Sequence, residues 1–316
     1  MSRLLNPFAR PGRWYRGVWH CHTTESDGAC SVEDVVGWYA GRGYDFLALT
    51  DHNRITAAPP SLAQAPGSAA AGGVPAAPLV LVPGIEVDAG RSGVGTSFHL
   101  LGIGLRVMID LPSDAAARQA MPVQAVIDRL RAAGAVVFVA HPYWSGLVAE
   151  DLIPLRDVAG IEVYNANTDV DIGKGHSGVH WDDCLTRRRP LWGAANDDAH
   201  WRIDDHGRGW TVLRAETLTP ESVTAGLATG AFYASTGAAL DDVTFDGDTA
   251  VVQIAPPGAR EVRFMCDHRW GRRIRADGPP LREASYTLRG RERYLRIEVV
   301  APDGGMAWTN PLFVER

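Results

Sequence analysis

Short apolar runs alternate with helix-like segments through the first two thirds of this 316-residue chain, and that rhythm leaves few folds open. It is the pattern of βα units around a parallel sheet or barrel. Strands are expected at residues 17–22, 44–50, 79–87, 98–103, 135–140, 160–164 and 191–195. Helices are expected at 31–41, where Ser31 can cap and Asp34 sits in the first turn, at 122–133, between Pro122 and Gly134, and at 179–188. Residues 55–78 are dominated by Ala, Pro and Gly and read as a surface loop near the strand ends. After residue 236 the helical period disappears. Short runs at 243–245, 251–254, 261–265, 284–288, 294–300 and 311–314 are separated by turn sequences such as Asp246-Gly247, Asp277-Gly278-Pro279 and Asp303-Gly304-Gly305. The expected architecture is therefore α/β, a parallel sheet or barrel over 1–236 followed by a small antiparallel β-sandwich over 237–316.

Histidines and carboxylates recur where the apolar runs of the first domain end. His20-Cys21-His22 closes the first run, Asp51-His52 the second, and Glu86 the third. His141 follows residues 135–140, Asp197, Asp198 and His200 follow 191–195, while His99 and Glu162 lie inside runs of their own. Residues i and i+2 of a strand share a face, so His20 and His22 point together while Cys21 turns into packing, and Asp198 pairs in the same way with His200. The carboxyl ends of strands in barrels and open α/β sheets converge on one face, where active sites are built. Taken singly, each histidine is ordinarily a hydrogen-bonded or surface residue, and Glu162 a structural carboxylate or one that supports a ligand. The joint pattern points to a shared metal site. His176, His180, His206 and His268 belong to no such pattern, and Asp197 competes with Asp198 but lacks the D-x-H spacing.

Composition bounds the rest. Apolar residues at 46% and charged residues at 22% are the balance of a soluble globular protein. No apolar run reaches the roughly 18–20 residues a membrane helix needs, and residues 1–17 lack the apolar core of a signal peptide. Cys21, Cys30, Cys184 and Cys266 form no C-x-x-C pair, so neither a disulfide framework nor a zinc ribbon is indicated, and a cytoplasmic location is expected. The net charge of −6 disfavours binding to long nucleic acid, although bound metal ions would add local positive charge for a small anionic substrate.

The segments His20-Cys21-His22-Thr23, Ser26-Asp27-Gly28 and Thr50-Asp51-His52-Asn53 resemble the opening motifs of the polymerase-and-histidinol-phosphatase (PHP) superfamily. Gly84-Ile85-Glu86, His99-Leu100-Leu101-Gly102, Ala140-His141-Pro142 and Asp198-Ala199-His200 resemble its later motifs in order, over roughly residues 14–236. The tail, with Phe232-Tyr233-Ala234-Ser235-Thr236-Gly237 and Ala307-Trp308-Thr309-Asn310-Pro311, is similar to the carbaryl-hydrolase-like branch. The resemblance implies a distorted (β/α)7 barrel with a trinuclear site. One ion would lie between His20, His22, Glu86 and Asp198, a second between Glu86, His99 and His141, and a third at Asp27, His52 and His200. Asp51 is expected to orient a ligand histidine.

Imidazole and carboxylate ligands without thiolate suit two or three divalent ions of Zn, Mn or Fe. Ions about 3.5–4 Å apart can share a water and lower its pKa from about 15.7 towards ~7. The expected reaction is attack of that metal-bridged hydroxide on the phosphorus of a small phosphomonoester or phosphodiester. Arg54 and Arg202, just past His52 and His200, are candidates to hold phosphoryl oxygens, and Tyr143 and Trp144 to wall an organic leaving group. Hydrolysis of a carbamate, ester or amide is the alternative. A metal-binding module without catalysis is the reading from another class.

Overall fold

The computed structural model describes residues 3–57, 59, 62 and 78–315, so most of the loop expected at 55–78 lies outside the described residues. The chain is a mixed α/β protein. Its strands form an eleven-stranded sheet, a five-stranded sheet and a three-stranded sheet. Among the described residues no helix is long and apolar enough to cross a membrane.

The five-stranded sheet runs Gly84–Ala89, Phe98–Ile103, Val136–Val139, Gly160–Asn165 and Trp192–Asn196. Nearly every residue in it is buried, which matches the continuous apolar runs of its sequence. The expectation of parallel strands fails for the first three, which pair antiparallel, while only the last three are parallel. Only residues 90–97 join the first two strands, too few for the dozen or more a parallel crossover needs. Facing this sheet is the ladder Val80–Leu81, Phe46–Leu47, Arg13–Val18, Trp210–Ala215 and Phe232–Ser235. Tyr15, Phe46, Leu101, Phe138, Ala194 and Phe232 from both sheets share one buried cluster. The two sheets meet through the isolated parallel bridges of Cys21 with Ala199 and His52 with Glu86, and among the described residues no ladder runs continuously from one sheet into the other.

Boundaries differ from expectation for physical reasons. The first strand is Arg13–Val18 rather than residues 17–22. Its charged Arg16 is accommodated because the guanidinium lies 3.9 Å from the ring centroids of both Tyr44 and Trp210. The run at 79–87 splits into Val80–Leu81 and Gly84–Ala89 at Pro83, which has no N–H to give a ladder. Gly84 lies so close to the preceding segment that a Cβ there would sit 2.9 Å from the Leu49 carbonyl oxygen. The expected helices form at Val32–Ala40, capped by Ser31, at Val123–Ala132 and at Gly178–Thr186. The second of these buries Val126, Ile127 and Leu130, and the third buries Trp181, whose Nε1 donates to the Leu191 carbonyl at 2.8 Å.

Beyond residue 236 the strands Leu240–Asp246, Thr249–Ile254 and Glu283–Thr287 form the small sheet. Val243, Val252, Ile254 and Tyr286 from it share a buried cluster with Val262, Phe264, Leu295, Ile297 and Val299 of the large sheet. Strands Gly271–Arg275 and Met306–Thr309 escaped the sequence reading. The first has one apolar side chain, Ile274, among arginines, the composition of an edge strand. The large sheet runs on from Phe232–Ser235 through Met306–Thr309 and Tyr294–Val300 to Leu312–Glu315, which pairs with Arg3–Leu5.

Candidate metal centre

His20 and His22 lie just past the end of Arg13–Val18, on a segment pinned to the chain after Trp192–Asn196. The Asp198 N–H donates to the His20 carbonyl at 2.9 Å, and the His22 N–H to the Ala199 carbonyl at 3.0 Å. Cys21 faces the other way, fully buried among Val18, Val35 and Leu47. His52 is brought to Glu86 by their bridge and by the Asn53 N–H, 2.7 Å from the Glu86 carbonyl. His99 is carried by Phe98–Ile103, and His141 follows Val136–Val139. Asn53, His141, Asp198 and Trp201 have φ values of 60°, 27°, 53° and 64°, the left-handed region that L-residues seldom occupy. Asp157, Arg188 and His268 share this conformation away from the cluster, but His141 and Asp198 are themselves candidate ligands, whose side chains the turn aims.

All nine expected ligands converge. Glu86 Oε2 is 3.3 Å from His20 Nε2, 3.1 Å from His22 Nε2 and 3.3 Å from His52 Nδ1. Its other oxygen is 2.9 Å from His99 Nδ1 and 3.4 Å from His141 Nε2. Asp198 Oδ1 is 2.9 Å from His20 Nε2 and 3.1 Å from His22 Nε2. Asp27, more exposed than the others, lies 3.4 Å from His200 Nε2, 3.8 Å from His52 Nε2 and 3.6 Å from His22 Nδ1. Groups bound to one cation at ~2.0–2.2 Å stand roughly 3.0–3.6 Å from one another, so this spacing fits a bound ion. His20 Nε2, His22 Nε2 and Asp198 Oδ1 are also buried without a hydrogen-bond partner among the described residues. His20 Nε2 and His22 Nε2 face Asp198 Oδ1 at 2.9 and 3.1 Å and have no partner outside the cluster among the described residues, so only protons shared within it or a bound cation can satisfy them. The set His20, His22, Glu86 and Asp198 has the right donors for one ion, and Glu86 with His99 and either His52 or His141 for another. Asp27, His52 and His200 could hold a third, in a group that also reaches His22. A neutral imidazole has one free lone pair, so His22 can serve only one ion.

The remaining sequence candidates sit differently. Asp51 is fully buried and among the described residues bonds no histidine directly; it reaches His22 only through Ser26, whose Oγ lies 3.4 Å from His22 Nδ1. Its carboxylate accepts from Thr23 N at 2.8 Å, Thr23 Oγ1 at 2.9 Å, Ser26 Oγ at 2.7 Å and Thr56 Oγ1 at 2.5 Å, and so braces the loop that carries Asp27. Arg54 is turned away to pair with Glu25 at 2.5 Å. Arg202 faces the cleft and donates to the Asp27 carbonyl at 2.7 Å. Trp144 stands 4.9 Å from the His141 ring, whereas Tyr143 packs 5.9 Å from His180. Asp197 is saturated by the Tyr39 hydroxyl and by the N–H groups of Gly207, Arg208 and Gly209. Sequence reasoning did not find Asp205, which accepts from the His200 and Trp201 N–H groups and from Asn167, nor Ser145, 3.0 Å from His141 Nδ1. Neither has a sequence signature.

Without ions the cluster shares protons. Burial lowers the pKa of His22, but the contacts and charge of Asp198 and Glu86 outweigh it and push the value up to about 9. Burial likewise opposes protonation of His20, yet Asp198, Glu162 and Glu86 raise it well above the ordinary histidine value. Glu86 and Asp198 are held far below the usual carboxylate range: burial works against this, but facing imidazoles dominate. For His22 the folded value exceeds the unfolded one, so its ion pairs stabilise the metal-free fold fully below pH 6.5 and are lost as pH rises through about 9. A binding cation must displace that proton. Metal affinity is therefore expected to rise between pH 6.5 and about 9 with release of protons, measured by calorimetry in buffers of different ionisation heat. Affinity independent of pH and buffer would contradict this.

The cluster floors a cleft of about 470 Å³. Its walls are Trp144 on one side, Asn167, Thr168 and Asp171 from helix Ala166–Ile172 on another, and Arg202 with Ile203. No protein-family model matches the chain and no curated protein does. Among solved structures, a two-domain protein from Bacteroides vulgatus ATCC 8482 containing a predicted PHP-like metal-dependent phosphoesterase superposes with a TM-score of 0.51 at 15% identity, over 95% of this chain and 96% of that one. A candidate metal-dependent phosphoesterase from Bifidobacterium adolescentis ATCC 15703 gives 0.44 at 17% identity, over 68% and 96%. An amidohydrolase from Chromobacterium violaceum, with bound sulfate and no metal, gives 0.41 at 17% identity, over 60% and 89%. At 15% identity the likeness to the first structure is one of fold, along nearly the whole of both chains.

Proposed function

We propose that this chain is a metal-dependent phosphoesterase of the PHP type, in its carbaryl-hydrolase-like branch, which hydrolyses a small phosphomonoester or phosphodiester in the cytoplasm with two or three divalent ions of Zn, Mn or Fe. The observation that carries the reading is the convergence of His20 Nε2, His22 Nε2 and Asp198 Oδ1, all buried and, among the described residues, without a partner outside the cluster, beside a Glu86 carboxylate ringed by five imidazoles. On this reading the two facing sheets are a distorted (β/α)7 barrel over residues 1–236 and the C-terminal strands a β-sandwich over 237–316.

Bound divalent ions would supply the positive charge that draws in an anionic substrate and acidifies a water. The protein's own groups do the rest. Glu86 holds five imidazoles around one point, and Asp198 faces it from across the floor. Arg202 is the one arginine or lysine among the described residues lining the cleft, placed to steady an anionic oxygen, while Arg54 with its Glu25 partner takes no such part. Trp144 covers His141 and His99 and gives a flat apolar wall against which a leaving group packs and water is displaced.

A single arginine is thin provision for a phosphoryl group, and that observation favours a second reading, hydrolysis of a carbamate, ester or amide carbonyl at the same floor. A binding module without catalysis is the third. A panel of phosphomonoesters, phosphodiesters, carbamates and aryl esters tested on metal-loaded protein separates them. Turnover of phosphoesters is expected. Turnover of carbonyl substrates alone would replace the first reading with the second, and none of either class by loaded protein would leave the binding module.

A further inference from the structure

We infer that Glu162 is the positioning residue that sets the proton on His20, and through it the affinity of the first metal site. The inference rests on the metal-centre reading above. The Glu162 carboxylate is fully buried and receives four donors: His20 Nδ1 at 2.9 Å, Asn196 Nδ2 at 3.1 Å, the His141 N–H at 3.0 Å and Asn165 Nδ2 at 2.8 Å. The amide orientations are fixed independently. The Asn165 oxygen accepts from the Thr168 N–H at 3.1 Å, and the Asn196 oxygen from the Trp19 N–H at 2.9 Å, so both NH₂ groups must face Glu162. Asn165 Nδ2 also reaches Asp198 Oδ2 at 3.1 Å, leaving Oδ1 as the orphaned oxygen.

One carboxylate thus ties together three ligand-bearing segments. It accepts the hydrogen bond of the His20 Nδ1–H and so keeps the proton there, which directs the Nε2 lone pair at the point shared with His22 and Asp198. It holds the main chain of His141 in its φ of 27°. Through Asn165 it fixes Asp198. Both oxygens face donors only, so a carboxamide cannot replace the carboxylate without conflict. At the Oε2 position its NH₂ would meet the His141 N–H and the Asn165 amide, neither of which can turn round. At Oε1 it meets the Asn196 amide, which Trp19 holds in place, and His20, the one partner that can respond, by moving its proton from Nδ1 to Nε2. That proton then sits on the ligating atom.

The test compares wild type, Glu162→Gln and Glu162→Asp in competition between Mn²⁺ or Zn²⁺ and a chelator, alongside the thermal midpoint of each metal-free protein. Glu162→Gln is expected to weaken the tightest site 10–100-fold, roughly the range seen when a group that orients a metal ligand is lost. Glu162→Asp, which keeps the charge but draws it back by one methylene, should fall between. Wild-type affinity in Glu162→Gln overturns the inference and leaves the metal-centre reading intact, even if its melting point falls, because a purely structural role would lower the midpoint alone. A wild type that binds no metal fails the metal-centre reading and the inference with it. Should Glu162→Gln not fold, Glu162→Asp decides: unchanged affinity there overturns the inference.

Discussion

Replacing Glu86 by alanine is expected to remove nearly all activity and most of the metal. Its two oxygens lie within 3.4 Å of ring nitrogens from His20, His22, His52, His99 and His141, and the side chain is 1% exposed. No other carboxylate can take its place. Asp198 meets His20, His22 and, at 3.8 Å, His141, but neither His52 nor His99 lies within ion-pair reach of it among the described residues. Without Glu86 the first two candidate sites lose a shared ligand together, and five imidazoles are left facing each other with less negative charge to offset a cation. A fall in kcat/KM of at least ~10³-fold is expected, about 4 kcal/mol of transition-state stabilisation. Metal per chain should fall in parallel, by elemental analysis, while circular dichroism stays near wild type. Normal activity with Glu86 removed would mean that the chemistry lies elsewhere.

Stripping the metal should have an effect of similar size, and it should be reversible. The metal-free cluster need not collapse, because protonated imidazoles and the Glu86 and Asp198 carboxylates satisfy each other's charge in its absence. Chelator-treated protein is therefore expected to keep its fold, to retain under about 1% of its hydrolytic rate, and to recover on addition of Mn²⁺ or Zn²⁺. Because the ions bind only the folded chain, an excess of ~100 times Kd should stabilise it by about 2.7 kcal/mol, seen as a rise in melting temperature. A chelated, metal-free protein that still turns over substrate would contradict the account.

Much of this was visible in the sequence because a strand fixes side-chain direction with a period of two. Apolar runs marked the strands, and the polar residues at their ends had to meet if those ends met. His20, His22, Glu86, His141 and Asp198, scattered over almost 180 positions, do reach one floor. What escaped depends on long-range contacts without local pattern. Glu162 sits in an apolar run like any structural acid, and nothing in that run announces the four donors that meet it. Asp51 neighbours His52 in sequence, yet its carboxylate turns to Thr23, Ser26 and Thr56, because adjacent residues of an extended chain point to opposite sides. Arg54 follows His52 closely in sequence, but its guanidinium is held by Glu25, a contact without local pattern. Strand direction was equally hidden: an apolar run at 84–89 says buried strand, but its antiparallel pairing follows from the shortness of the link to Phe98–Ile103.

The most direct test is to locate the metal itself, by anomalous diffraction from crystals of protein loaded with Mn²⁺ or Zn²⁺. At least two ions per chain are expected, one among His20, His22, Glu86 and Asp198 and another against Glu86 and His99. Crystals of loaded protein with no anomalous peak within bonding distance of Glu86 would contradict the account at its centre.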